Sequence, residues 1–347
     1  QHNFRNKLIL NQWLISLFGV DPFAEHRDGT RIVRPFHVLA EPIRNPRLEG
    51  LDADNLHHFY HHLGDSPLFS YTNPRFNLPG FKITRDLLLQ YEENIVRHTL
   101  AINSKRQIPV VWKYFQWLSL LFVEIYLDRF FSDREALLSD LNAFVERFNA
   151  NYSGFLDVLP YTEDDLNKIC LQNATGSGKT LLMHVNLLQY RHYAKLHNKE
   201  NDLSRVILLT PNERLSEQHI DEFHASGFDF VRRLDPQKAI SFEQIDVIEI
   251  TKLGDQEGPN TIATRSLGDQ NLLLVDEGHR GMSGKEEGAW FTRRSQLCAK
   301  GFTFEYSATF EQAVQASGSA DFENSYAKAI IFDYSYRWFY EDGFGKD

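Results

Sequence analysis

Residues 168–181 read KICLQNATGSGKTL, and this stretch decides how the surrounding chain folds. The run Lys168 to Gln172 predicts a β-strand, and Leu181 to Lys195 has the pattern of a helix. The glycine-rich turn between them ends in Gly-Lys-Thr, which is the context that a phosphate-binding loop requires. Its glycines let backbone N–H groups face phosphates, and the lysine can reach the outer phosphates. We predict that the ligand-binding residues are Ala174, Thr175, Gly176, Ser177, Gly178, Lys179 and Thr180.

The loop departs from the usual pattern at Asn173, where a glycine normally stands. A glycine-rich turn between a strand and a helix can also be purely structural. The terminal Lys179-Thr180 pair favours the phosphate-binding interpretation, with Lys179 as a catalytic residue and Thr180 as a ligand of Mg²⁺.

A second apolar run, Leu272 to Val275, ends in two carboxylates, Asp276 and Glu277. Ligands of open α/β sheets bind at the carboxyl ends of the strands, so both carboxylates are expected beside Lys179. We assign Asp276 to Mg²⁺ and Glu277 to the attacking water, which it would orient and deprotonate. Both residues are therefore predicted to be catalytic.

The chain changes character near Tyr152. Before it, the pattern is mostly helical, and after it short apolar runs alternate with turns and amphipathic helices, as in an open parallel α/β sheet. We expect a helical domain over residues 1–155 and an α/β domain over 156–347. The predicted strands are Lys168–Gln172, Val206–Leu209, Val247–Thr251, Asn271–Val275, Thr303–Ser307 and Ala329–Phe332.

Three local features predict element boundaries outside these motifs. Pro109 is placed where the first turn of a helix tolerates proline, and Ser132 with Glu135 three residues later resembles an N-terminal helix cap. The polar stretch 312–323 is expected to be a mobile connection. The arginine pairs Arg232-Arg233 and Arg293-Arg294 are expected to be exposed.

The composition favours a folded protein of a reducing compartment, with 42% hydrophobic residues and two cysteines in 347 residues. The net charge of −10 argues that any contact with nucleic acid is local rather than spread over the surface. The most apolar stretch, residues 110–131, contains four charged residues, so we interpret it as a buried helix and expect no membrane partner. A cytoplasmic location is expected.

The ordered set Ala174 to Thr180, Asp276-Glu277-Gly278-His279 and Ser307-Ala308-Thr309 resembles the superfamily-2 helicases and translocases of the DEAD/DEAH-box group. Within that group, the phrases around Asp276 and Ser307 look most like the ATPase subunits of type III restriction enzymes and related phage-defence helicases. The resemblance implies a RecA-like P-loop NTPase fold, with ATP and Mg²⁺ as cofactors. It covers roughly residues 166–347.

The same resemblance implies roles for individual residues. Ser307 and Thr309 would couple the nucleotide state to the nucleic-acid path, and His279 would contact the phosphate-side network as a catalytic residue. The predicted nucleic-acid contacts are Pro211, Asn212, Arg214, Thr251 and Lys252.

Two of these contacts have a competing structural interpretation. Arg214 could pair with Glu217 or another surface carboxylate instead of touching nucleic acid, and Lys252 could be a solvated charge.

Members of this group bind ATP between two RecA-like domains, and the resemblance predicts a second such domain beyond Asp347. The expected partners are nucleic acid, with DNA favoured over RNA, and a nuclease, methyltransferase or other defence-system subunits. The leading interpretation is an ATP hydrolase of the DNA-dependent helicase type, of which this piece alone would turn over slowly. The alternative is a nucleotide-dependent switch or scaffold that controls assembly with partners and moves no nucleic acid.

Overall fold

The computed structural model describes residues 4–73, 80–152, 157–277 and 284–345. Its helices are α1 (Ile9–Ser16), α2 (Pro35–Ala40), α3 (His58–Gly64), α4 (Arg85–Asn103), α5 (Tyr114–Ser132), α6 (Arg134–Asn151), α7 (Lys179–Leu196), α8 (Glu213–Ala225), α9 (Gly284–Leu297), α10 (Phe310–Ser317), α11 (Ala320–Ala327) and α12 (Tyr336–Glu341). Its strands are β1 (His26–Asp28), β2 (Arg31–Val33), β3 (Lys168–Asn173), β4 (Arg205–Thr210), β5 (Val231–Arg233), β6 (Ile245–Glu249), β7 (Leu253–Gly254), β8 (Ile262–Ala263), β9 (Asn271–Asp276), β10 (Phe302–Ser307) and β11 (Ile330–Tyr334).

Seven strands form one sheet in the order β11-β3-β10-β9-β4-β6-β5, and each neighbouring pair is parallel. The central strands are buried, except at the first residue of β3, because helices cover both faces of such a sheet. The predicted α/β fold with a parallel sheet is confirmed. All six predicted strands match within two residues at each end, and the one predicted as Val247–Thr251 ends at Glu249 because residues 250–252 form a 3₁₀ turn.

The strand order brings the sequence motifs together. β10 lies between β3 and β9, with Ser307 opposite Gln172 and Tyr306 opposite Asp276. Because all three strands are parallel, the segments that follow them meet at the same edge of the sheet.

The helical region shares a hydrophobic core with the sheet. α5 is apolar and buried around almost its whole circumference, and it packs on α4, α6, α7 and β11. A helix that is apolar on all sides is stable only when neighbours enclose it, as predicted for residues 110–131. Among the described residues, each helix is too short or too polar to span a bilayer.

Four local predictions were wrong. α5 begins at Tyr114, so Pro109 precedes the helix, and Asp133 rather than Ser132 caps α6 by accepting a hydrogen bond from the Ala136 N–H at 3.0 Å. The stretch 312–323 belongs largely to α10 and α11, whose buried aromatic rings pack against each other. Arg294 is buried, and its ion pair with Glu305 offsets the cost of burying its charge.

A buried carboxyl joins the helical region to α7. Glu124 of α5 is fully buried and accepts hydrogen bonds from Asn94 (2.8 Å), Tyr193 (2.9 Å) and Gln189 (2.8 Å). Burial raises the pKa of Glu124 to about 7, although the three hydrogen bonds favour the ionised form.

The Glu124→Gln substitution tests this site. Because the folded-state pKa lies above the unfolded value, Glu124 contributes stability below about pH 4.5 that is lost as the pH rises to about 7. The variant keeps a neutral group, so its free energy of unfolding relative to wild type should increase by roughly 3 kcal/mol between pH 4.5 and 8. Urea unfolding of both proteins at several pH values measures this difference in the free energy of unfolding.

Glu93→Gln on the exposed face of α4 is the matched control and should show no such pH dependence. A Glu124→Gln curve parallel to that of wild type would contradict a raised pKa.

Candidate nucleotide-binding site

The predicted loop lies between β3 and α7 at the carboxyl edge of the sheet. Gly176 and Gly178 have φ angles of +83° and +82°, which residues with a Cβ atom rarely adopt. A Cβ atom on Gly176 would meet nothing within 4 Å, so the loop is open toward solvent. Lys179 and Thr180 are the first two residues of α7, where free N–H groups and the helix dipole favour an anion.

Lys179 lies between the two predicted carboxylates. Its Nζ atom is 2.6 Å from Glu277 Oε1 and 3.2 Å from Asp276 Oδ1. Both carboxylates are less than a tenth exposed and the lysine is largely buried, so water screens these ion pairs only weakly. The strand order therefore unites the loop lysine and the acidic pair, as the sequence predicted.

His219 of α8 holds the other oxygen of Asp276. Its Nε2 atom is 2.7 Å from Asp276 Oδ2, and the imidazole is buried. Burial raises the pKa of the Asp276 carboxyl, but hydrogen bonding to His219 and the charge of Lys179 outweigh burial, so this pKa lies below its ordinary value. Asp276 is consequently ionised and suited to a cation.

Glu277 is fixed from two sides. The Ser307 hydroxyl donates to Glu277 Oε2 at 2.8 Å, and the Ala308 N–H donates to Oε1 at 3.1 Å. Thr309 N–H donates to the Ser307 hydroxyl oxygen at 3.0 Å. Glu277 has a φ of +52°, an uncommon value for a residue with a Cβ, and the contacts from β10 compensate for its cost.

A residue of the helical region contacts the loop. Gln116 of α5 donates from Nε2 to the Ser177 carbonyl at 2.8 Å, while its Oε1 accepts from the Lys113 N–H at 2.9 Å. A Cβ on Gly178 would approach Gln116 Nε2 to 2.5 Å, so the contact requires glycine there. The helical region thus contributes a hydrogen bond to the backbone of the loop.

The residues present fit a nucleotide with a divalent cation. The Ser177 hydroxyl is buried and has no hydrogen-bond partner in the described part of the chain, and neither has the side chain of Asn173. Open glycines, helix N–H groups and one lysine suit phosphate oxygens, and the ionised Asp276 with Thr180 suits Mg²⁺. Ala174 is buried behind the loop, and Thr175 is exposed.

The predicted nucleic-acid residues lie further along the same edge. Pro211, Asn212 and Arg214 follow β4, which is adjacent to β9, while Thr251 and Lys252 follow β6. The Asn212 side chain caps α8 by accepting from the Leu215 N–H at 3.0 Å. Lys252 Nζ lies 3.5 Å from Glu249.

The side chain of Arg214 is exposed and forms no ion pair or hydrogen bond within the described residues. Glu217, which the sequence offered as an alternative partner of Arg214, lies 3.8 Å from Arg233 instead.

His279 lies outside the described residues, so its predicted contact has no structural counterpart here. Sequence reasoning missed two residues that do belong to the site, His219 and Gln116. His219 lies five residues after Arg214, and its three-residue spacing from Ser216 places both on one face of α8, which was an available signal. Gln116 carried no local signal.

Comparison with known families agrees with this geometry. The sequence model described as type III restriction enzyme, res subunit, matches residues 133–312, which is just over half of the chain. The chain belongs to the type III restriction res subunit family. Among curated proteins, none matches this sequence.

The family match includes the phosphate loop, the Asp276-Glu277 pair and the Ser307 motif within one range. Res subunits carry a helicase-like ATPase domain with a phosphate-binding loop, and the sheet described above is RecA-like. The predicted resemblance is therefore confirmed at the level of the family, the fold and a helicase-like ATPase domain.

The Gln116→Ala substitution tests the contact between α5 and the loop of this Res-family domain. Losing one hydrogen bond to the loop should weaken binding of Mg-ATP roughly three- to tenfold, because the loop samples more conformations. Titration calorimetry measures this. Gln90→Ala, on the exposed surface of α4, is the control. Equal affinities of Gln116→Ala and wild type would show that the contact does not organise the loop.

Proposed function

We propose that this chain is the ATP-binding half of a DNA-directed translocase or helicase that acts in restriction or antiphage defence. The observation that carries the proposal is the continuous contact from Lys179 through Glu277 to Ser307. It joins the phosphate loop to a strand end outside the loop, which a simple nucleotide-binding domain does not require.

Each residue of this site has a chemical task in ATP hydrolysis. The loop N–H groups and Lys179 bind and orient the phosphates. Thr180 and Asp276 would hold Mg²⁺, which neutralises charge on the transferred phosphate. Glu277 accepts a proton from the attacking water, and His219 keeps Asp276 oriented. His279, by family resemblance, is assigned to the phosphate-side network.

Ser307 and Thr309 supply the coupling in this proposal. Ser307 contacts Glu277 directly, and Thr309 contacts Ser307. A change in the charge or position of Glu277 during hydrolysis therefore changes the hydrogen bonds at the end of β10.

The nucleic-acid surface in this proposal includes Pro211, Asn212, Arg214, Thr251 and Lys252. Arg214 supports it most directly, because its guanidinium is exposed and has no carboxylate partner within the described residues. Contact with a phosphate backbone is sequence-independent and weakens with salt.

The proposal includes a second RecA-like domain beyond Asp347 that supplies an arginine to the transferred phosphate. Such an arginine is worth about 10³- to 10⁵-fold in rate. In this proposal the motor acts in a complex with a nuclease, a methyltransferase or another defence-system subunit.

The test is steady-state ATPase activity of this chain without nucleic acid and with single-stranded DNA, duplex DNA or RNA. The chain alone should hydrolyse ATP about three orders of magnitude more slowly than a two-domain motor. One DNA form should stimulate the rate in a salt-sensitive manner, and Arg214→Gln should weaken this stimulation.

Lys179→Ala is the control that assigns the activity to the loop, and it should abolish turnover. Fast turnover by this chain alone would contradict the need for a second domain. Intact ATP binding without stimulation by any polymer, but with nucleotide-dependent oligomerisation, would favour the switch or scaffold instead.

A further inference from the structure

A cavity on the helical side of the molecule is lined by an unusual number of arginines. It has a volume of about 550 Å³ and lies between the β1–β2 hairpin, α2 and α12. We call it the arginine pocket, after five of its lining residues: Arg27, Arg31, Arg34, Arg44 and Arg337. None of the phosphate-loop or acidic-pair residues lines it.

The pocket offers positive groups although the chain is acidic. Five arginines and three carboxylates, Asp28, Glu41 and Glu341, line it, and two of the arginines pair with the further carboxylates Glu25 and Asp342. The charge available to a ligand therefore comes from the arginines that have no carboxylate partner.

Three of the arginines are paired with carboxylates, and two are not. Arg27 pairs with Glu25, Arg44 with Asp342 and Arg337 with Glu341. The guanidinium groups of Arg31 and Arg34 form no ion pair or hydrogen bond within the described residues. Two guanidinium groups thus keep their donors available on the same wall.

The Trp338 ring stacks with two of the pocket arginines. The guanidinium of Arg34 lies 4.7 Å and that of Arg337 lies 5.1 Å from the centre of the Trp338 ring. Guanidinium groups that stack on an aromatic ring keep their N–H edges directed outward, so little conformational entropy is lost when an anion binds.

The positive charges repel one another without an anion. Burial lowers the pKa of Arg34, and the charges of Arg5 and Arg337 lower it further against the opposing effect of Asp333. Burial and the charges of Arg44 and Arg34 lower the pKa of His37 to about 4, although Asp342 and Glu341 oppose this. A bound anion would relieve this repulsion.

We propose that the arginine pocket is a second binding site, distinct from the nucleotide loop, for a terminal phosphate group of a nucleotide or of a nucleic-acid strand end. A phosphomonoester carries a charge of about −1.5 to −2 at neutral pH, which matches the two unpaired guanidinium groups. Its three terminal oxygens accept the paired N–H bonds that guanidinium groups donate, and a backbone phosphodiester offers fewer oxygens and one charge.

The pocket is connected to the nucleotide loop through β11 and α12. Trp338 belongs to α12, and the Tyr334 carbonyl of β11 accepts from the Ala174 N–H of the loop at 3.0 Å. Asp342, the partner of Arg44, also accepts hydrogen bonds from Tyr334 and from Tyr114 of α5. This site does not depend on the proposed motor function.

The experiment measures binding to this chain and, in parallel, to the Lys179→Ala variant, whose nucleotide loop no longer takes up the probes. The probes are inorganic phosphate, AMP and one oligonucleotide prepared with either a 5′-phosphate or a 5′-hydroxyl. Wild type should bind the phosphate-bearing probes, and Arg31→Gln/Arg34→Gln should weaken that binding tenfold or more, with Arg31→Gln alone giving a smaller loss. Arg85→Gln, at an exposed site outside the pocket, should bind like wild type.

The outcomes separate the two sources of phosphate. Tighter binding of the 5′-phosphorylated strand than of AMP identifies a strand end, and the reverse identifies a free nucleotide. In wild type, phosphate should raise the pKa of His37, which NMR titration of its imidazole measures without a variant. Binding that is unaffected by both arginine substitutions, together with an unshifted His37, would overturn the proposal.

Discussion

The site depends on one constraint, which is that the Lys179 ammonium must lie within ion-pair distance of both Asp276 and Glu277. The strand order satisfies it because β10 separates β3 from β9 and brings its own Ser307 to the same carboxylates. An acidic pair buried this deeply is costly without a cation, so Lys179, His219 and the Ser307 hydroxyl stabilise the site together. The residues that would carry out hydrolysis are also the ones that keep this edge of the sheet stable.

The surroundings of the site come from segments distant in sequence. α5 contributes Gln116 to the loop carbonyl, and Glu124 on the same helix joins α7 to α4 through a buried hydrogen-bond network. The helical region and the sheet therefore share one core, and both contribute to the surroundings of the loop. The arginine pocket is linked to the same loop indirectly, through α12 and the Tyr334 carbonyl of β11, which accepts from the Ala174 N–H.

The sequence predicted those parts of the fold that local patterns determine. The loop follows an apolar strand and opens a helix, and Asp276-Glu277 end another strand, so both positions were predictable from parallel-sheet geometry. His219 and Gln116 were missed because a single sequence does not show which helix docks on which loop. β5 was missed because Val231–Arg233 is short and contains two arginines, and α10 and α11 were obscured by small polar residues although Phe310, Val314, Phe322 and Tyr326 form their buried faces. The burial of Arg294 depends on Glu305, which belongs to another element.

The most direct measurement is titration calorimetry of this chain with ATP, with and without Mg²⁺, for wild type, Lys179→Ala and Asp276→Asn. If the loop and the acidic pair form one site, wild type binds ATP more tightly with Mg²⁺, Lys179→Ala loses most of the binding, and Asp276→Asn loses mainly the enhancement by Mg²⁺. The same affinity and the same Mg²⁺ dependence in all three proteins would contradict the account.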